Sequence, residues 1–188
     1  MRNIVLATNN SHKLREVREI LEPLGITVLS QQEAGVQVEP EENGSTFAEN
    51  AEIKARAVYA ETGLPVLADD SGLCVDALDG APGVYSARFA PAGELCSKLL
   101  SMMQDVPAAQ RTAKFVTDIA FIDENGQLLI CEGECCGTIG YEERGTNGFG
   151  YDPVFFYGDR SFAELSAQEK NQVSHRANAL KKLYDVLK

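Results

Sequence analysis

The sequence contains no tryptophan, only two histidines and fewer basic than acidic residues. Its 17 Lys and Arg stand against 28 Asp and Glu, which gives the 188 residues a formal net charge of −11. This shortage of positive charge argues against a DNA-binding protein, because such proteins gain much of their affinity from cationic contacts with phosphates. We therefore expect no nucleic-acid partner, although a small anion could bind where a few cations converge.

Long apolar runs are also absent. No stretch approaches the roughly 20 apolar residues of a membrane-spanning helix. The apolar run within residues 1–7 is too short for the core of a signal peptide. We expect a cytoplasmic protein with no membrane partner.

Cysteine is present in an odd number, at positions 74, 96, 131, 135 and 136. Without an export signal, reduced thiols are the natural interpretation. The spacing of Cys131, Cys135 and Cys136 is not completed to a tetrahedral zinc set, because both histidines are distant in sequence.

Residues 1–188 are expected to form a single domain or two tightly joined lobes, since this length can bury a sufficient core. Strands at 3–7 and 27–30 enclose a helix at 12–22 and predict a βαβ-like opening. Thr46 and Glu49 form a capping-box pattern for a helix that Gly63 can end.

The remaining segments continue an α/β pattern. A short strand at 65–68 is expected to present the segment 69–72 at its carboxyl end. A helix at 94–104 precedes two strands joined by a hairpin at 123–126. The apolar run 154–157 is followed by one last helix, opened by a second capping box at Ser166.

A polar loop turns from the first strand into the first helix and carries Thr8, Asn10 and Lys13. Backbone N–H groups at a helix amino terminus, with hydroxyl, amide and ammonium groups beside them, suit a phosphate. The alternative is that Asn or Ser caps the helix and Lys13 is a solvated surface charge.

Asp69 and Asp70 are adjacent carboxylates, so only one of them easily faces a given site on an extended segment. Such a carboxylate can hold Mg²⁺ or take a proton from an attacking water. The alternative is an aspartate-capped turn before Gly72. The acidic loop, defined here as residues 39–44, could supply a second carboxylate to a metal, although such a run is usually a solvated face.

The glycine-rich loop, residues 145–152, matches neither a P-loop nor a dinucleotide fingerprint. Its glycines allow close approach of a ligand, and Phe149 and Tyr151 could stack on a base or lie in the core. The last predicted helix carries Lys170 and the segment 174–176. These residues either form the solvent-exposed face of that helix or bind a base.

Six segments together resemble the inosine triphosphate pyrophosphatase family, also called Ham1-like. In chain order they are Thr8-Asn-Asn-Ser-His-Lys13, the stretch from Glu41 to Ala51, Ala68-Asp-Asp-Ser-Gly72, the stretch from Gly80 to Arg88, the stretch from Gly145 to Pro153, and Ser174-His-Arg176. Six blocks in one order are far more specific than any single block.

The resemblance implies a long mixed β-sheet flanked by helices, with two lobes around a nucleotide cleft, and a homodimer. It also implies Mg²⁺-dependent hydrolysis of dITP, ITP or XTP to the monophosphate and pyrophosphate, which removes deaminated purines. Rival interpretations are a pyrophosphatase for modified pyrimidine or ordinary nucleotides, and a non-catalytic nucleotide sensor.

Roles for individual residues follow from the same resemblance. Asp70 would be the catalytic base, and Glu41 with Asp70 would hold Mg²⁺, although the motif does not decide between Glu41 and Glu42. The substrate-binding residues would be Thr8, Asn9, Asn10, Ser11, His12, Lys13, Ser71, Phe149, Gly150, Tyr151, Asp152, Lys170, His175 and Arg176.

Overall fold

The computed structural model describes residues 2–188, which form seven strands and five α-helices. Met1, part of the predicted 1–188 domain, lies outside the described residues. In chain order the elements are β1 (Arg2–Leu6), α1 (Ser11–Leu21), β2 (Ile26–Ser30), α2 (Phe47–Thr62), β3 (Val66–Val75), α3 (Leu95–Met102), β4 (Thr112–Ile122), β5 (Leu128–Ile139), β6 (Phe155–Tyr157), β7 (Arg160–Ser161), α4 (Ala167–Val173) and α5 (His175–Leu187).

The strands form one sheet in the order β2-β1-β3-β4-β5-β6-β7. Strand β1 pairs in parallel with β2 and β3, whereas β6 pairs antiparallel with β5 and β7. The predicted α/β class with a mixed sheet flanked by helices is therefore confirmed.

The chain divides into two compact units. Unit 1 contains residues up to 70, 117–133 and 176–188. Unit 2 contains residues 71–116 and 134–175. No helix within residues 2–188 is both long and apolar enough to span a membrane.

The core of unit 1 lies on both faces of its strands, because alternate side chains of β1 point to opposite sides. Ile4 and Leu6 pack with apolar residues of α1 and α5. Val5 and Ala7 pack with apolar residues of α2. The predicted βαβ opening and the α2 boundaries, capped by Thr46 and Gly63, agree with the structure.

Unit 2 has an aromatic core. The ring centroids of Phe115 and Phe155 are 4.7 Å apart, and those of Phe155 and Phe162 are 4.8 Å apart. Such tilted and edge-to-face pairs add to the stabilisation from burial.

The strand predicted at 65–68 is too short, and the alternative of an aspartate-capped turn before Gly72 is wrong. Strand β3 continues without a break to Val75. Leu73 and Val75 are fully buried in the core of unit 2. Leu73 and Val75 are two positions apart on the extended strand, so both side chains enter the same core. Asp69 and Asp70 therefore lie within a strand.

The prediction of one last helix is also wrong, because the chain forms α4 and α5 with a break at Ser174. Ser174 has extended dihedrals, with φ −66° and ψ 156°, which are typical of a residue that precedes a helix. The predicted i, i+4 face shared by Lys170 and Ser174 consequently does not continue into α5.

Candidate active site

The amino terminus of α1 begins with Asn10, whose side chain caps the helix. Asn10 Oδ1 accepts hydrogen bonds from the backbone N–H groups of His12 at 2.9 Å and Lys13 at 3.2 Å. Thr8 Oγ1 accepts from the N–H of Asn10 at 3.1 Å. The capping alternative is thus correct for Asn10. Asn9, Ser11 and His12 are exposed at the same helix end.

Lys13 is not the solvated surface charge that the sequence left open. Its ammonium lies 3.1 Å from Asp69 Oδ2, and its side chain is 14% exposed. The guanidinium of Arg176 also contacts Asp69 Oδ2, through NH2 at 2.8 Å and Nε at 3.2 Å. Arg176 NH1 pairs with Glu16 as well. Two cations therefore meet on the buried carboxylate of Asp69.

Burial and ion pairing pull the pKa values of these groups in opposite directions. Burial disfavours the charged form of Asp69, yet Lys13 and Arg176 hold its pKa below the usual range. Burial lowers the pKa of Lys13, although Asp69 opposes that shift. Asp69 is therefore ionised at neutral pH.

Asp70 contacts a third cation, the ammonium of Lys54 on α2. Lys54 Nζ lies 3.3 Å from Asp70 Oδ1 and 3.0 Å from Glu42 Oε2. It also donates to the backbone carbonyl of Asp69 at 2.8 Å. The other carboxylate oxygen of Asp70 accepts from the Asn50 amide at 3.2 Å.

The electrostatics of this pair differ from those of Asp69. Burial raises the pKa of Asp70, although Lys54 and Lys13 oppose that shift. Burial disfavours the charged form of Lys54, but the carboxylates of Asp70, Asp69 and Glu42 outweigh it and raise the Lys54 pKa. Lys54 therefore stays protonated beside two carboxylates.

Glu42 is the acidic-loop carboxylate that the structure brings to Lys54 and Asp70. Glu41, the metal ligand predicted from the resemblance, is exposed. Glu41 as a ligand stays a prediction, and the geometry favours the alternative that was left open.

The charged cluster of unit 1 is defined here by its three cations and four carboxylates: Lys13, Lys54, Arg176, Glu16, Glu42, Asp69 and Asp70. One negative charge is left uncompensated within this group. Asp70 and Glu42 supply oxygen donors, which Mg²⁺ prefers, and Mg²⁺ commonly uses one or two carboxylates with waters and phosphates. The donor set fits such an ion, although no group of three or more His, Cys, Asp or Glu suited to a metal occurs within residues 2–188.

The glycine-rich loop of unit 2 is organised around Asp152. Asp152 Oδ2 accepts from the N–H of Phe149 at 2.9 Å and from Lys170 Nζ at 2.7 Å. The same ammonium lies 5.0 Å from the centre of the Phe149 ring. Gly148 must lack a side chain, because a Cβ there would meet Asp152 Oδ2 at 1.9 Å.

Other predicted binding residues of unit 2 have structural partners. Tyr151 is buried and donates from its hydroxyl to the Ser86 carbonyl at 2.8 Å. Its ring belongs to the core, which was one of the two options left open. Gly150 is exposed, and its carbonyl accepts from Cys96 Sγ at 3.3 Å. His175 stacks on Phe115 with ring centroids 4.7 Å apart, and Ser71 is half-buried on β3.

Sequence reasoning missed Lys54, Asn50 and Glu16. In α2, Phe47, Ala51, Ala55 and Val58 form an apolar stripe along one helical face. Asn50 and Lys54 occupy neighbouring positions on the same helical face, at i+3 and i+7 from Phe47. Polar residues on an otherwise apolar face were the signal that could have identified both.

Comparison with known proteins places the chain among close relatives. A sequence model of the Ham1 family matches residues 4–186. A Haemophilus influenzae protein named dITP/XTP pyrophosphatase is 49% identical over 187 residues, with 94% of each chain covered. An Escherichia coli O157:H7 protein of the same name is 45% identical over 196 residues, covering 100% of this chain and 99% of its own.

Solved structures agree with these sequence matches. A HAM1 protein from Coxiella burnetii has a TM-score of 0.87 and 48% identity, covering 100% of this chain and 98% of its own. The Staphylococcus aureus Ham1 protein has a TM-score of 0.86 and 37% identity, with 99% and 98% covered. This chain belongs to the Ham1 family.

Proposed function

We propose that this chain is a pyrophosphatase that hydrolyses dITP, ITP and XTP to the monophosphate and pyrophosphate. The observation that carries the proposal is the position of Lys54 between Asp70 and Glu42 in unit 1. In this arrangement the two carboxylates supply a proton acceptor and oxygen ligands, and the ammonium of Lys54 supplies a positive charge that can bind phosphate. The names of the Haemophilus influenzae and Escherichia coli relatives support the same reaction.

Asp70 is the proposed general base. Its side chain is 13% exposed, so a water molecule can reach the carboxylate. Burial raises the pKa of Asp70, which favours proton acceptance, whereas Mg²⁺ bound to the same carboxylate would oppose that shift. Lys54 contacts one oxygen of this carboxylate, and Asn50 donates a hydrogen bond to the other. The carboxylate would take a proton from the water that attacks the α-phosphorus, and the reaction needs no covalent enzyme intermediate.

Mg²⁺ is the proposed cofactor, held by Asp70 and Glu42, with Glu41 as the alternative ligand. The uncompensated negative charge of the charged cluster and its oxygen donors support a divalent cation there. When bound, the ion would neutralise negative charge on the phosphates and on the leaving pyrophosphate.

Lys13 and Lys54 are the proposed phosphate-binding cations of unit 1. A triphosphate carries about four negative charges, so a protein of net charge −11 needs local cations to bind it. Both ammonium groups are held by carboxylates within 3.3 Å, which fixes their positions before the substrate arrives. Thr8 and Asn10 would add polar contacts at the α1 amino terminus.

Base selection is proposed from the resemblance. The glycine-rich loop and His175 of unit 2 would contact the purine, and donors facing O6 would reject adenine by factors of about 10⁴ or more. The guanidinium of Arg176 is only 1% exposed and already pairs with Asp69 and Glu16, so a backbone donor is the better candidate for O6.

Pyrophosphate release from dITP, XTP, dUTP, dATP and dGTP, measured side by side, tests the substrate class. Deaminated purines should react far faster than the others, and the nucleotide product should be the monophosphate. Equal rates on all five would refute the proposed specificity. Nucleoside diphosphate with inorganic phosphate would refute the proposed cleavage position.

Asp70→Asn tests the mechanism. The variant should fold normally and lose at least about 100-fold in kcat, because the base and a metal ligand are both altered. Normal turnover in Asp70→Asn would refute the assignment of Asp70 as the catalytic base.

Glu41→Gln and Glu42→Gln form a matched pair for the metal ligand. Glu42→Gln should raise the Mg²⁺ concentration needed for half-maximal activity, whereas Glu41→Gln should not. The opposite result would restore Glu41 as the ligand.

A homodimer, proposed from the resemblance alone, is tested by light scattering of the purified protein.

A further inference from the structure

Asn50 on α2 hydrogen-bonds to two segments that the proposed reaction needs in fixed positions. Its Oδ1 accepts from the N–H of Gly44 at 2.8 Å, and its Nδ2 donates to Asp70 Oδ2 at 3.2 Å. The residue is 1% exposed, so water does not readily replace either bond. We propose that Asn50 is a positioning residue that fixes the Asp70 carboxylate relative to the acidic loop. This inference rests on the proposed function of Asp70.

The two oxygens of Asp70 are held by different groups from one face of α2. Lys54 contacts Oδ1 at 3.3 Å, and the Asn50 amide donates to Oδ2. Residues 50 and 54 are one helical turn apart, so their side chains reach the carboxylate together. With both oxygens held, the carboxylate cannot rotate freely about its terminal bond.

The Asn50 amide meets two demands at once, because it carries both an acceptor and a donor. The backbone N–H of Gly44 needs an acceptor, and the carboxylate of Asp70 needs a donor. These partners fix which end of the amide carries oxygen. An aspartate would keep the acceptor but would set a second negative charge against Asp70 Oδ2.

Gly44 approaches Asn50 so closely that a side chain does not fit. A Cβ on Gly44 would lie 2.7 Å from Asn50 Oδ1 and 2.7 Å from Glu49 Cβ. Glu42 is two residues earlier in the same loop and reaches Lys54. The contact at Gly44 therefore sets where Glu42 lies relative to Asp70.

The helix end that carries Asn50 is itself firmly attached. Thr46 Oγ1 accepts from the N–H of Glu49 at 3.1 Å, and the Glu49 carboxylate accepts from Ser45 N–H at 2.6 Å. Thr117 Oγ1 donates to the backbone carbonyl of Asp70 at 3.1 Å. Asn50 thus joins a loop and a strand that are each held by further hydrogen bonds.

Asn50→Leu tests this role, because leucine has a similar volume and lacks both hydrogen bonds. Its kcat for pyrophosphate release from dITP should fall about tenfold to 100-fold, the usual loss of a hydrogen bond to a charged group. The KM for dITP should change by less than about threefold, because the lost bond contacts no substrate atom. The rise in Tm that Mg²⁺ causes without substrate should also shrink.

Thr46→Ala is the matched control, because it weakens the same helix end and keeps the Asn50 bonds. Loss of such a cap costs about 0.5–2 kcal/mol of stability. Its kcat and its Mg²⁺-induced rise in Tm should stay near the wild-type values. A loss of kcat as large as that of Asn50→Leu would assign the effect to helix stability and overturn the inference.

Asp70→Asn in the same assay separates this inference from the proposed function. Wild-type kcat and Mg²⁺ response in Asn50→Leu, beside an inactive Asp70→Asn, would overturn the inference alone. An active Asp70→Asn would refute the proposed role of Asp70 as the base, on which this inference rests. If Asn50→Leu does not fold, Gly44→Ala decides, because its methyl group displaces the Asn50 amide; wild-type kcat in that variant would equally overturn the inference.

Discussion

Replacing Arg176 by methionine would leave two carboxylates in the interior without their shared guanidinium. Arg176 and Asp69 are 1% and 0% exposed in their side chains, and Glu16 is 10% exposed. Breaking a buried pair by removing one partner costs about 3–5 kcal/mol, because the remaining charge is uncompensated. Lys13 still lies 3.1 Å from Asp69, so we expect the lower end, about 3 kcal/mol.

For a chain of this length, a loss of about 3 kcal/mol lowers Tm by roughly 6–12 °C. The sequence has no tryptophan, so far-UV circular dichroism is the suitable probe. Arg160→Met is the matched control, because Arg160 and Glu169 are 52% and 46% exposed. An exposed ion pair is worth about 0–1 kcal/mol, so the control should shift Tm by only a few degrees. Adding Glu16→Gln to Arg176→Met should restore part of the loss.

The deficit should also depend on pH. The pKa of Asp69 is lower in the folded chain than in the unfolded one, so its ion pairs stabilise the fold above about pH 4. That stabilisation falls away as the pH drops through the unfolded value towards the folded one. The difference in Tm between wild type and Arg176→Met should be largest at neutral pH and smaller near pH 3. An unchanged Tm with altered selectivity between dITP and dATP would refute the argument and return Arg176 to base recognition.

Three further changes test other parts of the structure. Lys13→Ala should raise the KM for dITP at least about tenfold, since a charged phosphate contact is lost, and a normal KM in steady-state kinetics would contradict its role. Gly148→Ala should lower Tm more than Gly158→Ala. Both glycines have positive φ, +73° and +63°, but only a Cβ at position 148 would meet Asp152 Oδ2, at 1.9 Å. Equal shifts in Tm would contradict this close approach. Chelation of divalent ions should stop pyrophosphate release and Mg²⁺ should restore it; full activity in chelator would exclude the proposed cofactor.

Local sequence signals predicted the elements whose ends they mark. Thr46 and Gly63 bound α2 because capping and left-handed termination depend on residues within one turn. The hairpin between β4 and β5 was equally local, since Asp123 and Gly126 bond across the turn.

Elements decided by distant contacts were predicted less well. Strand β3 looked complete at residue 68, yet it continues because Leu73 and Val75 enter the core of unit 2. The last helix divides at Ser174, although its apolar positions continue through the break. Periodicity identifies which residues are buried, but it does not show where a chain changes direction.

The sequence by itself determined the α/β class and the family, because each of the six motifs, and their order, can be read from the sequence alone. Only the tertiary structure decided the partners of the site residues. In the folded chain Glu42 lies beside Lys54, and Arg176 pairs with Asp69 and Glu16. Asn50 donates a hydrogen bond to Asp70. The physical reason is that the residue type fixes the charge and the hydrogen-bond donors of a side chain. The partner that this side chain contacts is fixed by the packing of elements that are distant in sequence.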